Sequence, residues 1–308
     1  MQKTILTLLL ALMLTACQTT KKISYDASRT DAYSFHRLNN PVQTTEQKCS
    51  KSPNTVWANS RCLKFFPGGK LENVSNLNIF ILPHVAKYNL KRKFFTSISA
   101  SYVNNTDEKM QTAVQEISKK INTPIIYLAP AGIYGSSGKA TDFLRHSYSD
   151  TINIAITRLK EKYNAKRLTL IGVNSSGLQV SYLLTKRDDI SCATIGQSRL
   201  SLKESFRNAY TRPFELNKLA SGLYDPVNAV QNIKEDENRK IILLADHKSS
   251  NSTYESQKAY FDKVKNAGHN IQSKLYSAQD GRHLNWISIA IMTALTCTPV
   301  NDKEILNF

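Results

Sequence analysis

The sequence predicts an α/β fold: a mostly parallel central sheet flanked by helices on both faces. Two observations carry this. Short apolar runs recur at Leu77 to Leu82, Pro124 to Leu128, Leu168 to Ile171, Ile190 to Ile195, Lys240 to Leu244 and Ile271 to Tyr276. They are continuous rather than alternating, the pattern of strands covered on both faces. Longer segments with helical periodicity separate them, which is the order of repeated strand–helix units. The chain of 308 residues is long enough for one large core, or at most two domains.

Taken in order, the chain begins with Lys3, an apolar run from Ile5 to Leu14, and Leu14-Thr15-Ala16-Cys17. A basic start, a short greasy stretch and small residues describe an export signal over residues 1–16, too short to span a membrane. The ending resembles a bacterial lipobox. That resemblance implies that Cys17 becomes the first mature residue, thioether-linked to diacylglycerol and N-acylated. Gln18, rather than Asp, follows the cysteine, which in such lipoproteins implies the outer membrane. The expected partner is therefore a membrane, reached through the lipid. Residues 17–45 are polar and read as the lipidated N-terminus and a tether, and residues 46–308 as the folded domain.

Within that domain, residues 46–74 hold Phe65-Phe66-Pro67-Gly68-Gly69 and predict an antiparallel edge to the sheet. Asp107 to Lys120 is an amphipathic helix with Met110, Ala113, Val114 and Ile117 on one side. Asp142 to Tyr163 is the next helix. Thr253 to Ala267 is another, stopped by Gly268, and His283 to Leu295 is the last. Residues 197–238 interrupt the alternation and predict a small lid-like insertion with helices at Leu200 to Tyr210 and Pro226 to Ile233.

Charge narrows the function classes. The formal net charge is +17, carried mainly by dispersed lysines. No arginine-rich arm or aromatic-interleaved basic block is present, so nucleic acid is not an expected partner. A basic exterior suits anionic membranes or acidic polymers; it is equally a solvated lysine surface. Besides Cys17, four cysteines remain: Cys49, Cys62, Cys192 and Cys297. In an exported chain they read as two disulfides. Three pairings exist. Cys49–Cys62 with Cys192–Cys297 is preferred, because it closes one short loop and ties a strand start to the last helix. No Cys/His spacing matches a zinc site; no metal or cofactor is expected.

The stretch that organises the chain is Leu168-Thr169-Leu170-Ile171-Gly172-Val173-Asn174-Ser175-Ser176-Gly177-Leu178. A buried strand runs into small residues and then a helix. This resembles the nucleophile elbow of the α/β-hydrolase family, written G-x-S-x-G, and implies a fold of α/β-hydrolase type. Two registers fit. In one, Gly172 and Ser176 flank Asn174 at the nucleophile position, and asparagine tolerates positive φ. In the other, Ser175 is the nucleophile, but β-branched Val173 then occupies the tight position. The first is the better steric fit. An amide cannot replace a serine hydroxyl in acyl transfer.

Further residues carry the resemblance. Pro130-Ala131-Gly132-Ile133-Tyr134-Gly135-Ser136-Ser137-Gly138 is similar to a P-G-x-Y-G-S-S-G loop of that family, with one extra residue, and Thr185 to Cys192 also resembles it. The family's oxyanion donors fall on the amide of Ser175 and on Pro83-His84-Val85. Its histidine falls on His283. Its acid falls on Asp246, with Asp280 as a second choice and Ser249 at the commoner spacing. The resemblance thus implies either a serine hydrolase of esters or amides acting through Ser175, His283 and Asp246, or a catalytically inactive homologue. The latter would bind a small-molecule or polymeric ligand, or an envelope partner, through the old cleft. A purely structural envelope lipoprotein is the third possibility.

Overall fold

The elements follow the predicted alternation. The computed structural model describes residues 31–84, 86–89, 92–206, 221–247, 254–276 and 285–300. Among these residues two short helices come first, α1 (Phe35–Asn39) and α2 (Glu46–Ser50), then β1 (Thr55–Ala58), β2 (Arg61–Gly68) and β3 (Asn76–Ile81). A small hairpin follows, β4 (Ala86–Asn89) and β5 (Phe94–Ile98), with α3 (Ala100–Val103) after it. Next come α4 (Asp107–Ile121), β6 (Ile125–Leu128), α5 (His146–Lys162), β7 (Arg167–Val173), α6 (Ser175–Leu184) and β8 (Ile190–Gly196). The chain continues through α7 (Leu202–Phe206), β9 (Lys240–Asp246), α8 (Tyr254–Asn266), β10 (Ile271–Tyr276) and α9 (Trp286–Thr296).

Eight strands form one sheet in the order β1-β2-β6-β3-β7-β8-β9-β10, and β4-β5 stands apart as a two-stranded sheet. The β1–β2 and β2–β6 pairs are antiparallel. All other pairs of the large sheet are parallel. The antiparallel edge is where residues 46–74 were expected to place it.

The apolar runs are continuous because each strand feeds two cores. Leu77, Ile79, Leu168, Leu170, Ile241 and Leu243 face one, which α5, α6 and α8 cover with Ile152, Leu159, Val180, Leu183 and Val264. Phe80, Ile171, Val173, Ile242 and Leu244 face the other, covered by Val114 and Ile117 of α4 and by Ile289 and Ile291 of α9. Local chemistry sets the helix ends. Thr106 Oγ1 accepts from Lys109 N at the start of α4, Asp107 and Glu108 sit in its first turn, and left-handed Asn122 ends it. The side chain of Asn285 likewise caps α9 by accepting from Ser288 N.

The disulfides join Cys49 to Cys62 and Cys192 to Cys297, with Cα separations of 5.5 and 5.9 Å. Three features depart from the expected organisation. Part of the polar segment assigned to a tether belongs to the domain: Tyr33 and Leu38 are buried in the core that α4 and α9 cover. The Ser34 hydroxyl caps α1 by accepting from Arg37 N. Secondly, Pro226–Asn232 is a 3-10 helix, with Pro226 at its first turn. Its Val230 and the following Ile233 enter the core beside Val180 and Leu184, so this half of the expected insertion is part of the domain body. Thirdly, the β4–β5 hairpin has no alternating or continuous apolar signature and was not anticipated.

Candidate functional site

The site lies where β7 turns into α6, at the carboxyl ends of the parallel strands, where ligands bind in sheets of this kind. Asn174 occupies the turn with φ 53° and ψ −121°, outside the regions that L-residues favour. Its backbone N–H donates to Gly196 C=O on β8 at 2.8 Å. The neighbours show why small residues are needed. A Cβ on Gly172 would lie 2.6 Å from the Ser176 carbonyl oxygen and 2.7 Å from a Val180 methyl. Ser176 is buried, and its hydroxyl accepts from Val173 N–H and donates to Val173 C=O, both at 2.9 Å. A Cβ on Gly177 would lie 1.8 Å from Ser198 Oγ. Asn174, not Ser175, therefore holds the positive-φ apex.

Ser175 is the first residue of α6. Its hydroxyl oxygen accepts a hydrogen bond from His84 N at 2.8 Å. The two places from which oxyanion donors were expected are thus brought together, and the His84 amide is engaged by the Ser175 hydroxyl.

The His84 ring is enclosed by aromatic groups. Its centroid lies 5.5 Å from Phe95, in a stacked arrangement, and 4.9 Å from Phe143. Its Nε2 lies 3.0 Å from the Tyr148 hydroxyl, which donates onward to Ala131 C=O at 3.0 Å. The tyrosine has one proton, so Nε2 carries the imidazole proton and Nδ1 is bare. That Nδ1 is buried without a hydrogen-bond partner. Burial lowers the His84 pKa to about 3, so the ring is neutral across the physiological range. The ring packs between Phe95 of β5, Phe143 and Tyr148 of α5.

Asp246 is the last residue of β9, buried, in register with Tyr276 of β10. His283, Asp280, Ser249 and Cys17 lie outside the described residues, as does Val85. Among the described residues no group of three or more His, Cys, Asp or Glu side chains is placed to hold a metal ion.

The glycine- and serine-rich loop after β6 proves to be a staple for β2. Ser136 Oγ accepts from Lys64 N and donates to Ala129 C=O. Ser137 Oγ accepts from Cys62 N at 2.7 Å, and Ser137 N donates to Cys62 C=O. These bonds satisfy the backbone of β2 beyond its short pairing with β6. Gly132 turns the loop at φ +79°, where a Cβ would sit 2.2 Å from Ala140 N.

Phe95, Phe143 and Tyr148 were missed as site residues. They lie far from the elbow in sequence, and no motif marks them. The Thr185–Cys192 stretch lies at the other end of the sheet. There Arg187 donates through Nε and Nη2 to the two oxygens of Asp189 at 2.8 and 2.6 Å. Lys160 joins the same carboxylate at 2.7 Å.

Comparison with known proteins gives three results. Residues 1–18 match the family model for the prokaryotic membrane lipoprotein lipid attachment site. No described helix is long and apolar enough to cross a membrane. No curated protein matches the chain, whereas many solved structures do. An esterase of Pyrococcus furiosus is 14% identical with a TM-score of 0.54, covering 87% of this chain and 98% of its own. The acylaminoacyl peptidase of Pyrococcus horikoshii is 13% identical with a TM-score of 0.55, covering 82% of this chain and 43% of its own. A ferulic-acid complex from Butyrivibrio proteoclasticus is 12% identical with a TM-score of 0.54, covering 79% and 95%. At these identities the likeness is one of fold. The chain carries an α/β-hydrolase fold behind a lipoprotein lipid attachment site, which makes it a lipid-anchored protein of the cell envelope.

Proposed function

We propose that this protein is an outer-membrane lipoprotein whose α/β-hydrolase fold serves binding rather than acyl transfer. The outer-membrane assignment rests on Gln18 after Cys17. The observation that supports a non-catalytic cleft is Asn174 at the elbow apex with φ 53°. Nucleophilic catalysis needs an ionisable oxygen or sulfur held at that apex and activated by a neighbouring base, and an amide supplies none. Ser175 stands one residue into the helix, and its hydroxyl oxygen accepts from the His84 amide. In a hydrolase that region must offer free donors to a developing oxyanion.

A second reading keeps Ser175, His283 and Asp246 as a displaced triad hydrolysing esters or amides. It is favoured only by Asp246, a buried carboxylate closing β9. A fluorophosphonate probe separates the two. The binding reading expects wild type to label no more than a heat-denatured control. Labelling of native protein that vanishes in Ser175→Ala would establish the hydrolase reading instead.

A further inference from the structure

The β4–β5 hairpin is additional to the large sheet and is built unlike the rest of the molecule. Between Glu72 and Asp107 the chain has no carboxylate, and the hairpin sequence supplies Lys87, Lys91, Arg92 and Lys93. Of its described residues, Lys87, Arg92 and Lys93 are exposed. Beside them Phe94 is 37% exposed, one of the few large apolar side chains open to solvent among the described residues. Lys93 N donates to Asn89 C=O at 2.8 Å and Arg92 N to Asn89 Oδ1 at 2.9 Å. Cations beside a solvent-facing aromatic ring, in a stretch of sequence without a carboxylate, are the chemistry of an anionic membrane interface.

The first described residues of the chain lie on this side. Asn39, at the end of α1, brackets Phe95 of the hairpin. Its Nδ2 donates to Phe95 C=O at 3.3 Å, and its Oδ1 accepts from Phe95 N at 3.0 Å. Upstream, Tyr33 packs on Tyr102, just beyond β5, with ring centroids 5.5 Å apart. Fourteen residues lead from Cys17 to Asp31, the first described position, a reach of at most about 50 Å when fully extended. An anchor on so short a lead keeps the hairpin at high local concentration near the bilayer, where weak contacts count.

We propose that the β4–β5 hairpin is a second membrane contact, binding anionic phospholipid through Lys87, Arg92, Lys93 and Phe94. Its inner side carries Tyr88 and Phe95. Phe95 stacks on His84, and the His84 amide is bonded to Ser175. Docking through the outer side holds the candidate cleft beside the lipid surface, whether that cleft binds or catalyses.

The test uses the full mature chain with Cys17→Ser, which removes the acyl chains, in co-sedimentation with vesicles of phosphatidylcholine with or without phosphatidylglycerol. Binding is expected only with the anionic lipid and is expected to weaken as salt rises. Each lost cation lowers the partition constant by about fivefold, so Arg92→Glu/Lys93→Glu should lower it by about 25-fold or more. The control Lys263→Glu/Lys265→Glu on α8 makes the same charge change and should lower it by less than about twofold. Lys87→Glu, on a strand and outside the turn, keeps the test valid if the turn variant fails to fold. Equal losses for hairpin and control variants, or equal binding to both kinds of vesicle, overturn the proposal.

Discussion

At Asn174 a single residue holds the conformation that the fold demands of the elbow, without the side chain that the chemistry demands. Its φ of 53° with ψ of −121° lies outside the left-handed region that asparagine visits easily, and holding a residue there costs about 1–3 kcal/mol. The strain persists because Gly172, Ser176 and Gly177 let β7 and α6 close around it. The Asn174 side chain makes no capping bond to α6. Glycine has no Cβ to strain, so Asn174→Gly should stabilise the protein by about 1 kcal/mol and raise Tm by a few degrees. A lower Tm in a thermal melt would show that the amide side chain makes an interaction the fold depends on. The elbow was legible in the sequence because the requirement is local: Gly172 and the small Ser176 fix the register within a few residues of the apex. The aromatic cage of His84 was not. Phe95, Phe143 and Tyr148 meet it from separate elements, and only the folded chain brings them together.

Among the elements, those with long apolar periodicity were read correctly in kind, and those governed by polar contacts were not. The helix Asp107–Ile121 announces itself through Met110, Val114 and Ile117. The hairpin β4–β5 is short and partly polar, with Tyr88 and Phe95 turned toward His84 and Phe143. Such a piece leaves no period to detect. Ser136 and Ser137 mislead in the opposite way, looking like part of a functional loop while serving the backbone of β2. The polar cluster at the start of β8 is another contact-built unit. Arg187 also donates to Asn153 Oδ1 and Thr157 Oγ1 on α5, and Arg239 donates to Arg187 C=O and Ile190 C=O. Burial alone would raise the pKa of Asp189, but hydrogen bonds and charge from Arg187 and Lys160 outweigh it and hold the carboxyl below its ordinary value. A carboxyl depressed in this way stabilises the fold above its unfolded pKa of about 4 and loses that contribution as pH falls through the lower folded value. Asp189→Asn should therefore cost roughly 3 kcal/mol at neutral pH, mainly by leaving Arg187 buried without its anion. The deficit should shrink as urea unfolding is repeated at progressively lower pH below about 4. A deficit that stays constant into strong acid would mean that shape, not charge, is what Asp189 contributes.

For the molecule as a whole, the two disulfides act on very different lengths of chain. Cys49–Cys62 spans a sequence separation of 13 and pins α2 to β2, the strand next to the sheet edge. Cys192–Cys297 spans 105 and ties β8 to the residue that ends α9. The second bridge encloses β9, α8, β10 and α9, together with His283 and Asp246 of the sequence. In the chain-entropy account, cross-linking removes more disorder from the unfolded chain as the loop lengthens: about 3 kcal/mol for a loop near 15 residues and about 4.7 kcal/mol near 100. Cys192→Ser/Cys297→Ser should therefore lower the unfolding free energy by about 1–2 kcal/mol more than Cys49→Ser/Cys62→Ser does. Urea titration of both double variants, with and without reductant, measures this difference; reductant should bring wild type below either variant, since it breaks both bridges. If the short bridge proves the more important, stabilisation comes from folded-state contacts at the sheet edge rather than from the unfolded chain. The edge is where such contacts would have to act. There Cys62 pairs with Trp57 of β1 on one side and exchanges two hydrogen bonds with Ser137 on the other, so α2, the edge strands and the serine loop would loosen together.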